Sequence, residues 1–107
     1  MPVTPFLKSV TLTTGGTKYN LLTLIQALDP AQTGRCCKLQ IQLDPSAGGA
    51  TLLVGNDDIS ATNYGTSLVA GQFVTFENAA LNVINASAIW LQSATSAVRV
   101  NVLILSQ

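Results

Sequence analysis

No histidine occurs in this 107-residue chain, and only ten residues are charged. A typical soluble domain is roughly 25% charged, and this one is 9%. The missing histidine excludes Ser-His-Asp and Cys-His nucleophilic sites built from this chain alone. The small number of carboxylates and amines leaves few groups for acid-base work. Five basic residues balance five acidic ones, so nothing supplies the basic field that nucleic acid or an anionic membrane requires. Cysteine is limited to the adjacent Cys36 and Cys37. Neighbouring cysteines meet disulfide geometry poorly, so two free thiols are expected, as in a reducing compartment. They also lack the spacing and companion ligands of a zinc site. No apolar run approaches the roughly 20 residues of a membrane-spanning helix. Met1 to Leu7 has neither the basic nor the long apolar region of a secretion signal, and cytoplasmic synthesis is expected. Asn85-Ala86-Ser87 fits a glycosylation sequon but carries little weight without such a signal.

What is present instead is neutral polarity. Twelve Thr, eight Ser, seven Asn and seven Gln outnumber the charges more than threefold. Uncharged polar side chains cost less to desolvate than charged ones, so this surface suits packing against other protein. Zero net charge also removes a barrier to self-association. The composition favours a structural or binding module over an enzyme.

The length indicates one domain. Ser9–Thr14 alternates Val10 and Leu12 with Ser and Thr, the pattern of a half-buried strand, closed by Gly15-Gly16. Over Asn20–Leu28, Leu21, Leu24, Ile25 and Leu28 recur at helical spacing behind a candidate N-cap, Asn20, and Asp29-Pro30 ends the run. A short helix is expected there, with a strand as the alternative. Arg35–Leu43 alternates strongly and predicts Cys37, Leu39, Ile41 and Leu43 on the core side, with Cys36 outward. Thr51–Gly55, Gln72–Phe76 and Ala88–Ser93 read as further strands. Asn56–Gly65 reads as a polar loop, Ser67–Gly71 as a turn and Asn78–Val83 as a connection. Val98–Leu105 is the strongest strand. Its first face is Val98, Val100, Val102 and Ile104. Its second face runs from Arg99 and Asn101 to Leu103 and Leu105, and so needs cover from a second subunit or from the chain's own helix or arm. About six or seven short strands with regular turn signals indicate an all-β sandwich or barrel.

The candidate site residues follow from this reading. Val3, Phe6 and Leu7, between and beyond Pro2 and Pro5, are expected to form an extended arm over residues 1–7 that docks on a neighbour, with a disordered tail as the alternative, ahead of a single domain over 8–107. Leu103 and Leu105 are candidate interface residues, as is Trp90, which shares a face with Gln92. Trp90, Tyr19 and Tyr64 are also the aromatic candidates for stacking on a sugar. Asn56, Asp57 and Asp58 are a weak calcium candidate without EF-hand spacing. No catalytic residue and no cofactor is assigned.

Several segments together resemble small virion proteins of tailed bacteriophages, a group that includes capsid cement (decoration) proteins. They are Thr51-Leu52-Leu53-Val54-Gly55-Asn56, Ser60-Ala61-Thr62-Asn63-Tyr64-Gly65, Leu68-Val69-Ala70-Gly71, Ile89-Trp90-Leu91 and Val98-Arg99-Val100-Asn101-Val102. Leu12-Thr13-Thr14-Gly15-Gly16 and Tyr19-Asn20-Leu21 fit the same style. The likeness spans most of the chain through loose motifs that also occur in tail-associated modules. It implies an antiparallel, jelly-roll-like β-sandwich of about six to eight short strands with one short helix. It further implies a homo-oligomer, often a trimer, seated on the major capsid protein at the virion surface. No nucleic-acid or membrane partner is implied. The competing readings are a tail, baseplate or fibre module and a carbohydrate-binding sandwich.

Overall fold

Strict alternation in the last strand organises the molecule. A computed structural model describes residues 5–77 and 84–106, with the backbone alone at Ser106. The elements are β1 (Pro5–Leu12), β2 (Tyr19–Asn20), α1 (Leu21–Leu28), β3 (Arg35–Leu43), β4 (Thr51–Gly55), β5 (Thr66–Val69), β6 (Phe73–Glu77), β7 (Ile84–Asn85), β8 (Trp90–Gln92) and β9 (Val98–Ser106). Single 3-10 turns cover Pro45–Ala47 and Ala86–Ala88. The larger sheet has the order β1-β9-β3-β6, with β7 added to β3, and the smaller has the order β2-β8-β4-β5. All pairings are antiparallel.

The pairs are nested: β1 with β9, β2 with β8, β3 with β6, and β4 with β5. Successive pairs alternate between the two sheets. A long antiparallel ribbon rolled over itself gives this order, which is the double Greek key of a jelly roll. Between the sheets lie the inward rows of β9 (Val98, Val100, Val102, Ile104) and β3 (Leu39, Ile41, Leu43) from one side. Leu52, Val54, Leu68 and Leu91 meet them from the other. Each such side chain contributes about 1.5–3 kcal/mol when taken from water.

The helix forms as its sequence predicts. Asn20 caps it, its side chain accepting from Thr23 N–H. It ends at Asp29, whose N–H donates to the Ile25 carbonyl. Leu21 and Ile25 are fully buried. Leu28, one of the four residues of the predicted apolar face, is 47% exposed. The helix is short, with eight residues, and its last turn runs past the edge of the core. No helix among the described residues is long and apolar enough to cross a membrane.

Three expectations are corrected. First, the N-terminal arm does not begin the domain from outside. Pro5 already pairs with Leu105 and Phe6 with Ile104, so the strand crosses the expected boundary at residues 7 and 8. Proline reads as a strand breaker, yet at the start of an edge strand its missing N–H removes nothing from the ladder. Phe6 is 1% exposed and belongs to the core, while Leu7, one residue on, points to the opposite face. Val3 lies outside the described residues, as does the expected connection over 78–83. Second, Cys36 is buried and Cys37 is half-buried, the reverse of the expected sides. The ladder between β3 and β9 runs Cys36↔Ser106 and then Lys38↔Leu105, so Cys37 is a bulge residue. One extra residue reverses the side-chain sides upstream of it. Third, the expected turn over Ser67–Gly71 holds a strand through Val69, because Leu68 faces Leu52 and is buried. Tyr19, which carried no structural expectation, forms a two-residue strand with Asn20 against β8.

Two consequences can be measured. Phe6→Ala is expected to cost about 3–5 kcal/mol in denaturant unfolding. Leu7→Ala is expected to stay within about 0.5 kcal/mol of wild type, and equal costs would contradict the assigned faces. Burial, and then the neighbouring Cys37, push the Cys36 thiol up to about 11. Because the thiolate is the reactive form, a thiol reagent at neutral pH should label Cys37 in the folded protein and Cys36 only after unfolding. Labelling of Cys36 at the rate of Cys37 would contradict the bulge.

Candidate interaction surface

A strand that gives one row to the core presents the other row outward. On the larger sheet the register sets those outward residues side by side. One row reads Pro5, Leu105, Lys38, Glu77 and the next Leu7, Leu103, Gln40, Thr75. The third reads Ser9, Asn101, Gln42, Phe73. The corner over β1 and β9 is therefore apolar, with Pro5, Leu7, Leu103 and Leu105 adjacent. Leu7 is 62% exposed, and Leu103 and Leu105 are half-buried. Phe73, at the far side of the sheet, is 58% exposed.

Beside the apolar corner runs a chain of neutral hydrogen bonds. Ser9 Oγ donates to Asn101 Oδ1 at 2.7 Å, and Asn101 Nδ2 donates to Gln42 Oε1 at 3.0 Å. Gln42 Nε2 donates to the Gly71 carbonyl at 3.2 Å, which ties the network to the turn between β5 and β6. Asn101 Nδ2 also donates to Asp44 Oδ1 at 3.0 Å. These bonds hold polar side chains in place, so ordering them against a partner costs less conformational entropy. A shallow groove of about 270 Å³ lies over Leu7, Ser9, Gln40, Gln42 and Asn101, with Lys8 and Val102 also in its lining. The charges around this face balance. Lys38 pairs with Glu77 at 3.6 Å, both partly exposed, and Arg99 stands near the carboxylate of Asp44. An exposed pair of this kind adds little stability, but it leaves the outward rows of the sheet without net charge.

The structure places the sequence candidates in three locations. Leu7, Leu103 and Leu105 come together on this face. Phe6 is in the core beneath it. Trp90 is on the outer face of the smaller sheet, half-buried, with the Lys18 ammonium 5.1 Å from its ring centroid. Lys18 Nζ also donates to the Asp57 carbonyl. A cleft of about 330 Å³ beside Trp90 is lined by Asn56, Asp57, Ser87 and Ala88. The cation on the ring occupies a position that a stacked sugar would need. In the Asn56–Asp58 loop, Asp57 O accepts from Lys18 and Asp58 O accepts from Asn63 Nδ2. Asn56 O accepts from Ile59 N–H, so all three backbone oxygens of this loop already hold donors. Among the described residues no group of three His, Cys, Asp or Glu side chains could hold a metal. Tyr19 Oη bonds Thr13 Oγ1 and Thr14 N–H at 3.0 Å, and so pins the turn after β1. An apolar opening of about 360 Å³ between the sheets, lined by Val54, Val74, Phe76 and Ile89 among others, presents no ionisable group among the described residues.

Phe73 was not among the sequence candidates. Its signal was available, because Phe73 and Thr75 alternate with Val74 and Phe76. The choice of face required the register with Gln42. Comparison with protein-family models, curated proteins and solved structures finds no match.

Asp44 connects this face to solution conditions. Hydrogen bonds from the Ser46 hydroxyl, then from Asn101 and the Ser46 N–H, hold its carboxyl below the ordinary carboxylate value, and Arg99 adds to the effect. A depressed folded value stabilises the fold above the unfolded value of about 3.9. That contribution is lost as pH falls through the lower folded value. Asp44→Asn is therefore expected to lower stability at neutral pH and to flatten the loss as pH falls below about 4. An unchanged acid profile in chemical denaturation would contradict the network.

Proposed function

We propose that this protein is a non-enzymatic structural subunit of a phage virion, most specifically a capsid decoration protein. It packs against sister copies and the shell protein through the outer face of its larger sheet. The observation that carries the reading is that face itself: exposed apolar residues, pre-bonded neutral polar residues and balanced charge. The neutral composition and the resemblance of several segments to phage virion proteins support it. Jelly rolls serve in viral capsids and also in lectins, so the fold contributes an analogy only.

The size of the face bears on mechanism. Eight residues of β1 and four strands, at about 3.4 Å per residue and about 4.8 Å per strand, give about 500 Å² of flat surface. A stable interface buries about 800 Å² on each partner. One such contact is therefore weak, and several engaged together through an oligomer would raise the overall affinity. A trimer is the proposed form.

Leu7→Glu tests the reading, because Leu7 is exposed and the change spares the core. The variant is expected to keep the wild-type melting temperature, to lose self-association in light scattering, and to fall at least tenfold in occupancy on phage heads. Wild-type association and occupancy would overturn the proposal. Hundreds of copies per particle are expected. A handful of copies would instead place the protein in a tail, baseplate or fibre.

A further inference from the structure

Five strands edge the two sheets among the described residues: β1, β6 and β7 in the larger, β2 and β5 in the smaller. Four of them are short. β2 and β7 have two residues each, β5 four and β6 five. β1 has eight and pairs on one side only, with β9. A long, flat edge is a template for adding another strand, and short edges are not. Only β1 therefore needs protection.

Its inward row is Phe6, Lys8, Val10 and Leu12. Phe6, Val10 and Leu12 are buried. Lys8 shares their side of the sheet, opposite the buried Val102, yet it is exposed. Its ammonium lies 6.0 Å from the Phe6 ring centroid. The stem follows the rim of the core and carries the charge to water at the open edge. An inward-facing charge on an edge strand blocks pairing, because an added strand would bury it. None of the other four edges carries a charged residue on its inward row.

We infer that Lys8 holds the β1 edge closed to strand addition by a second copy of this chain. The registers available to such a pair show why. Antiparallel β1–β1 pairing must keep both inward rows on one side. One register sets Lys8 directly against Lys8 of the second copy, and like charges opposite one another destabilise a ladder. The neighbouring register sets Lys8 against Val10 and covers both ammonium groups with apolar side chains. With the edge closed, association is left to the sheet faces. This inference does not depend on the proposed function, since it concerns only the edge.

The test replaces Lys8 by Val, Thr and Arg and measures mass by light scattering at matched concentration, with amide exchange along β1. Lys8→Val and Lys8→Thr are expected to at least double the mass relative to wild type and to slow exchange across Phe6–Leu12. Lys8→Arg is expected to keep the wild-type values. Unchanged mass and exchange in both neutral variants would overturn the inference. So would a mass gain accompanied by faster exchange throughout the sandwich, because unfolding would then be its cause.

Discussion

The pairing of β9 with β1 on one side and β3 on the other is the interaction on which the rest of this structure depends. It joins the two ends of the described chain and supplies the central inward row from Val98 to Ile104. The two-residue period of a strand then leaves no freedom for the opposite row. Once Val100, Val102 and Ile104 face the core, Asn101, Leu103 and Leu105 must face out. The core and the candidate interaction surface are two sides of one pairing, and a register slip would destroy both. The bulge at Cys37 marks the end of that constraint. It lets the ladder reach Ser106 while turning Cys36, and not Cys37, toward the interior.

Scarce charge has a consequence at each level. Inside, the sandwich buries hardly any polar side chain among the described residues, with Gln32 and Ser93 the exceptions. On the outer face of the larger sheet, the charges that do occur are matched: Lys38 by Glu77, and Arg99 by Asp44. Covering such a face requires little desolvation of ions. At the β1 edge a single lysine occupies the inward row where a neutral residue would leave a template open. Few charges remain, and Lys8, Lys38, Glu77 and Arg99 all stand on strands of the larger sheet.

Much of the fold was legible in the sequence because the strands alternate cleanly and the helix carries its own cap. Arg35–Leu43 and Val98–Leu105 follow from period two, Thr51–Gly55 from its short apolar run, and Asn20 with Asp29 brackets α1. The rest was hidden for physical reasons. The bulge depends on the partner strand, since nothing in Arg35-Cys36-Cys37-Lys38 identifies the residue that loops out. Phe6 was masked by Pro5, whose effect differs between a central strand and an edge. Thr66–Val69 has one inward apolar residue, too little periodicity to separate it from a turn. Leu7, Leu103 and Leu105 were each recognisable as apolar and outward. Their meeting on one corner required the register of two strands about ninety residues apart in the chain.

A rolled sandwich, a balanced outer face and a closed edge fit a rigid subunit held by others through one broad surface. That claim concerns which side of the molecule is covered in its assembled form. The most direct measurement is an electron-microscopy map of the assembled particle at a resolution that separates β-strands. Expected is density of a neighbouring protein over Pro5, Leu7, Leu103 and Leu105, with the β1 edge free of an added strand. A map showing that face open to solvent, with contacts through the smaller sheet instead, would contradict it.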